Sequence, residues 1–217
     1  MARKSKNLKR NPYIIVFWEG ESEEQYMKYM RQAFHTKANL KVNAKKGVFE
    51  AAKKAFSPKG VYADEVKDVD EIWLVFDTEP DLRVKWDEYW GIVQGLRKKC
   101  KYARVRLLMT KGCVEYFFLL HYEKLAPSIV TPADKDALVA KLAGENYCPG
   151  YKKGDQITTF RIASLYETGI ENGKWSLKRI EDEFVGAYTE DEKYRVLYFS
   201  DSTFTNAHEA IEYLREL

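Results

Sequence analysis

Six consecutive apolar and aromatic residues, Tyr13-Ile-Ile-Val-Phe-Trp18, open the patterned part of this chain. A run without polar alternation has no solvent face. As a strand it must be buried on both sides, which is the environment of a parallel sheet covered by helices. Glu19-Gly20-Glu21 stops the run, and Ser22, with Gln25 three residues on, has the form of a helix N-cap with its capping box. Tyr26, Met27, Met30 and Phe34 then recur at helical spacing. The alternation continues with a short strand at 40–44, Gly47 ahead of a helix near 48–56, and the strand Glu71-Ile-Trp-Leu-Val-Phe76 ending in Asp77. A helix near 84–99 carries Trp90, Val93 and Leu96 on one face, and a fourth strand follows at 104–109. Strand and helix in alternation predict an α/β fold, a parallel sheet flanked by helices.

The second half reads as more helical: helices at 113–123, 132–143, 157–171 and 177–188, a late strand or buried extended segment at 194–199, and a closing helix at 206–217 capped by Asn206. No repeat or linker divides the chain. The expected organisation is one unit over 1–217, with a basic tail at 1–12, an α/β core at 13–112 and a helical C-terminal elaboration at 113–217.

The 217 residues suffice for one sizeable core. No stretch reaches the roughly 18–20 apolar residues of a membrane span, and the basic start leads into no apolar signal region. Cys100, Cys113 and Cys148 are odd in number and widely spaced, with neither a CxxC pair nor a disulfide framework. A reducing cytoplasm is the expected compartment. The net charge is only +3, but Arg3, Lys4, Lys6, Lys9 and Arg10 form one basic cluster and Arg97, Lys98, Lys99, Lys101, Arg104 and Arg106 another. Such clusters fit either phosphate contact or a tail and a solvated helix end.

In open parallel sheets, ligands bind beyond the carboxyl ends of the strands. Glu19 and Glu21 follow the first strand, and Asp77, Glu79 and Asp81 follow the third. If Asp77-Thr78-Glu79 stays extended, its period of two turns both carboxylates the same way. Oxygen donors of this kind suit a hard cation such as Mg2+, and clustered carboxylates resist ionising together without one. The alternative is that Glu21, Glu23 and Glu24 serve a helix dipole and that Asp77–Asp81 is a polar turn. His121 reads as a satisfied, partly buried histidine, and His35 and His208 as surface residues. Glu115 and His121 are six apart, roughly 240° around a helix, and do not share a face. No phosphate-binding glycine loop, Ser/His/Asp set or zinc spacing is present.

Three blocks in order, Val16-Phe-Trp-Glu19-Gly20-Glu21-Ser-Glu23, Val75-Phe76-Asp77-Thr-Glu79 and Cys113-Val-Glu115-Tyr-Phe117-Phe-Leu-Leu-His121-Tyr, resemble the RloB family of bacterial restriction and abortive-infection loci. The tail from Ser202, with Thr205 and Asn206, resembles that family's closing helix. The resemblance implies a Toprim-like fold, in which a glutamate follows the first strand and an Asp-x-Asp pair a later one. Carried over, these are Glu19, Asp77 and Glu79 as metal ligands and catalytic residues, with Glu115 as a further acid. Glu79 stands where the pattern has Asp, and Phe117 where a tryptophan is expected. The resemblance further implies a Mg2+- or Mn2+-dependent nuclease of antiphage defence, acting on RNA or DNA and controlled by an ABC-type ATPase. The other reading it leaves is a non-catalytic sensor that binds nucleic acid or that partner.

Overall fold

A computed structural model describes residues 10–44 and 47–217, so Arg3, Lys4, Lys6 and Lys9 of the first basic cluster lie outside the described residues. Four parallel strands, β1 (Tyr13–Trp18), β2 (Asn39–Ala44), β3 (Glu71–Thr78) and β4 (Arg104–Lys111), stand in the order β2-β1-β3-β4. The chain is α/β, with helices on both faces. Alternate residues of β1, β3 and β4 feed two separate cores. Ile14, Val16, Trp18, Trp73 and Leu108 face one, and Ile15, Phe17, Ile72, Leu74 and Leu107 the other. That double burial is why β1 lacks polar alternation.

From β1 the chain steps outward to β2 through α1 (Glu21–Ala33), then crosses back past β1 to β3 through α2 (Val48–Ala55) and on to β4 through α3 (Trp86–Lys99). Crossovers of one hand must place α1 on the face opposite α2 and α3. The burial agrees: Tyr26, Met27 and Met30 of α1 enter the first core, while Val48, Phe49, Val93 and Leu96 enter the second. Gly47 starts α2 at φ +76°, a value a side chain would disfavour.

The remaining helices are α4 (Val114–Leu119), α5 (Pro132–Leu142), α6 (Gln156–Ala163), α7 (Tyr166–Lys178), α8 (Glu190–Phe199) and α9 (His208–Glu216). Residues of α4 to α7 and α9 join the α1 core, whereas Tyr194, Leu197 and Tyr198 of α8 join the other. The C-terminal half therefore wraps both faces of the sheet.

Several sequence expectations change. Helix α1 starts at Glu21 with Gly20 as N-cap, so Ser22 is not the cap; its buried Oγ accepts from Gly154 N at 3.0 Å instead. The helix expected at 113–123 ends at Leu119, where the bonds tighten to His121 N→Phe118 O and Tyr122 N→Leu119 O. The segment 157–171 is broken at Ser164 and Leu165, and α7 runs on to Lys178. Of the helix expected at 177–188, only the last residues of α7 and a 3-10 turn, Glu181–Phe184, form before Gly186 at φ +88°. Residues 194–199 are the end of a helix, because Thr189 and Glu192 form a capping box and the buried positions 194, 197 and 198 are helical spacing. Helix α3 begins at Trp86, after a 3-10 turn at Pro80–Lys85.

Asn206 does not cap α9. Its Oδ1 accepts from Met109 N (2.5 Å) and its Nδ2 donates to Leu107 O (2.9 Å), closing the outer edge of β4 with a side-chain amide. His35 is exposed as expected, but His208 is buried, its ring against the backbone of Gly173. Among the described residues, three of the six cations of the second basic cluster are neutralised, the arginines and not the lysines. Arg97 pairs with Asp191 through two 2.8 Å bonds, Arg104 pairs with Glu190, and buried Arg106 bonds Glu71 at 2.6 and 2.8 Å. Glu71 also accepts from the Trp73 indole, and Tyr213 lies under the Arg106 guanidinium.

Removing one partner of a buried pair strands the other charge, at about 3–5 kcal/mol. Arg106→Ala should lose that much in urea unfolding, and the Arg106→Leu/Glu71→Leu double variant less. An Arg106→Ala chain as stable as the native one would contradict this account of the pair.

Candidate functional site

Strand order reverses between β1 and β3, so their carboxyl ends border the crevice where open α/β sheets place ligands. The register sets Trp18 opposite Val75, which brings Glu19 level with the residue before Asp77. Asp77 follows Trp73 and Val75 on the α1 face. Glu79 continues in extended backbone, φ −134° and ψ 151°.

Glu23 joins them, although its place in the sequence suggests only a helix-dipole role. Positions 23, 26, 27 and 30 form one face of α1, and this face is buried. The usable signal is a carboxylate in line with an apolar stripe. Glu115 arrives from α4, which follows β4 after Gly112 at φ +84°, a position where a Cβ would meet Ile129 at 2.4 Å. Its side chain is 2% exposed. Tyr151 donates to Glu115 at 3.0 Å, Ser22 Oγ lies 3.1 Å from the Tyr151 hydroxyl, and Lys153 Nζ is 3.6 Å from the carboxylate. Glu21 and Asp81 are exposed and are not among the groups acting on Asp77.

The electrostatics tie four acids together. Burial first, then the charges of Glu23, Glu19 and Glu115, hold the Asp77 carboxyl well above the usual carboxylate range. Burial, then Glu115 and Glu19, lifts Glu23 to about 7. Glu19 is exposed at the mouth, yet partial burial and Glu79 raise it too, against the Asp77 amide and the charges of Lys135 and Lys85. Burial, with Glu115 and Asp77 next, pushes the Cys113 thiol up to about 12. Beneath Glu23 and Asp77 lies a cavity of about 30 Å3, walled by Tyr26, Met27, Leu108, Phe117 and Ile211. These apolar walls explain the desolvation.

Among the described residues, no ion pair reaches Glu19, Glu23 or Asp77, whereas Lys135 holds Glu79. The donors are all carboxylate oxygens, the chemistry that suits Mg2+ or Mn2+. Among the same residues, however, no three His, Cys, Asp or Glu side chains converge closely enough to enclose an ion as they stand. A cavity of about 740 Å3 opens beside the start of β4, where Arg104 and Arg106 line it, and contains none of these acids.

Behind the crevice, His121 Nε2 meets the Tyr26 hydroxyl at 2.9 Å and Nδ1 meets Phe117 O at 2.9 Å, so the ring ties α1 to α4. Phe117, at the position where the resemblance led to the expectation of a tryptophan, packs on both rings. A family model described as RloB-like protein matches residues 14–214, from β1 into α9. The chain belongs to the RloB-like family. No curated protein and no solved structure matches it. No helix among the described residues is long and apolar enough to cross a membrane.

In this RloB-like chain, burial and the neighbouring carboxylates push the Glu23 carboxyl up to about 7 from an ordinary 4.5. Folding therefore takes up a proton at this site. Its contribution to stability is complete below pH 4.5 and is lost as the pH rises through 7, a change of about 3 kcal/mol. Buried His121 and His208, pushed down to about 4 by desolvation, act in the opposite sense and lose stability as pH falls from 6.5. The test is therefore a difference. In EDTA, Glu23→Gln should gain on the native chain by about that amount between pH 5 and pH 8. A difference constant with pH would contradict the assignment.

Proposed function

We propose that this chain is a Toprim-like, divalent-metal-dependent nuclease of bacterial antiphage defence, active in the cytoplasm and controlled by an ABC-type ATPase. The supporting observation is the crevice between β1 and β3, where Glu19, Glu23 and Asp77 lie together without a lysine or arginine partner among the described residues. A protein keeps such an arrangement at a cost, since each charge opposes the next, and strongly shifted groups in a cleft mark functional sites. The defence setting and the ATPase follow from the family resemblance.

Glu19, Asp77 and Glu79 are the residues that would hold Mg2+ or Mn2+, with Glu23 and Glu115 adding carboxylates from α1 and α4. The ion would neutralise these acids and the charge that develops on a phosphodiester. Of these acids Glu19 is the exposed one, at the mouth of the crevice where an attacking water can reach it. Its role is either ligand of the ion or, in place of that, general base for the water. Tyr151, bonded to Glu115, fixes that acid's orientation.

A second reading, a non-catalytic sensor binding nucleic acid or the ATPase, draws on one observation: Glu79 is already engaged by Lys135 and the acids do not converge unaided. A cleavage assay on DNA and RNA with Mg2+ or Mn2+ separates the two. The nuclease reading expects metal-dependent products, and Glu19→Gln and Asp77→Asn should each lower the rate at least about 100-fold. Their melting temperatures should stay level or rise, because a repelling charge is gone. Undiminished cleavage in both variants would overturn the site. Strand binding without cleavage by the native chain would favour the sensor.

A further inference from the structure

Two lysines already occupy acids of the crevice. Lys135, on the first turn of α5, contacts Glu79, and Lys153, on the segment between α5 and α6, lies 3.6 Å from Glu115. A third, Lys85 on the 3-10 turn after β3, is close enough to act on Glu19. The cations thus come from three separate segments and surround one group of carboxylates.

The placement of Lys135 is not what helix physics favours. A cation in the first turn of a helix opposes the dipole, and the α5 N-terminus is already satisfied by the Thr131–Asp134 capping box. Lys135 is also 29% exposed at its side chain, and Lys153 is 58% exposed, so neither is built into the core. Such exposed pairs add little to stability. Lysine is a compact charge on a flexible four-carbon stem, able to leave one oxygen for another. An ammonium on a carboxylate competes with a dication for the same oxygens.

We propose that Lys135 and Lys153 are the substrate-phosphate ligands of this site, parked on its carboxylates until a phosphodiester strand arrives, so that strand and divalent cation bind cooperatively. The inference rests on the metal-dependent reading above. When the strand takes the two ammonium groups, Glu79 and Glu115 become free oxygen donors. A metal on the acids would likewise release the lysines toward phosphate. Linkage makes the two effects equal: the factor by which the strand tightens metal binding is the factor by which metal tightens strand binding.

Mn2+ binding to the full chain, followed by the electron paramagnetic resonance signal of free Mn2+, tests this without relying on turnover. Titrations run alone, with a short single-stranded DNA or RNA oligonucleotide, and with a methylphosphonate DNA whose backbone is uncharged. The charged strands should tighten Mn2+ binding at least about fivefold, and the uncharged one should not. A Lys135→Gln/Lys153→Gln chain with native melting behaviour should bind Mn2+ more tightly than the native chain when alone, and should lose the enhancement. Lys135→Arg/Lys153→Arg should keep it. Mn2+ bound equally with and without charged strand overturns the coupling while leaving the metal site standing. Full enhancement in the glutamine variant assigns the phosphates to other cations and also overturns the proposal. No Mn2+ binding under any condition removes the metal reading itself, and this proposal with it.

Discussion

The parallel pairing of β1 with β3 is the constraint on which the rest of this molecule depends. Because β1 is bonded on both edges and covered on both faces, its residues can be nothing but apolar, and polar chemistry is confined to its ends. Because the chain leaves β1 in one direction and β3 in the other, α1 and α3 settle on opposite faces and a crevice opens between them. Glu19 and Asp77 are simply the first side chains past the core on the two strands that border this gap. The remaining acids come from the helices packed nearest to it, Glu23 in the first turn of α1 and Glu115 in the first turn of α4.

That geometry sets an electrostatic conflict. The apolar walls that stabilise the α1–α4 packing, Tyr26, Met27 and Phe117 among them, are the same groups that strip water from Glu23 and Asp77. The carboxyls respond by holding protons to higher pH, by leaning on Lys135 and Lys153, or by taking up a dication. The first two are visible here. On the proposed reading, both leave the crevice ready to exchange a small charge for a larger one, with the lysines and the acids acting as one system.

The α/β class and the central strands β1 and β3 were legible in the sequence because double burial leaves an apolar run, β2 and β4 followed from their places in the alternation with helices, and Gly47 marked the start of α2. The failures share a cause. Residues 194–199 look like a strand when the capping residues Thr189 and Glu192 are ignored, and Ser22 and Asn206 look like caps because their types favour that role. Both instead bond long-range partners, Gly154 and the edge of β4. Pairing between distant segments is invisible to a local pattern. His208 was misplaced for the same reason, since its burial depends on Gly173 in another helix. At the site, Glu19, Asp77, Glu79 and Glu115 could be named from their places after strands and in motifs. Glu23 needed the further step of noticing that it shares a face with Tyr26, Met27 and Met30, and the lysine contacts of Glu79 and Glu115 needed the fold.

The central claim is that the crevice between β1 and β3 is a divalent-cation site. Anomalous diffraction from crystals grown with Mn2+ and a bound oligonucleotide tests it most directly. The account predicts a peak within coordination distance, about 2.0–2.2 Å, of carboxylate oxygens from Asp77 and at least one of Glu19, Glu23 and Glu79. A peak confined to another part of the molecule, or full strand occupancy in the crevice with no peak there, would contradict it.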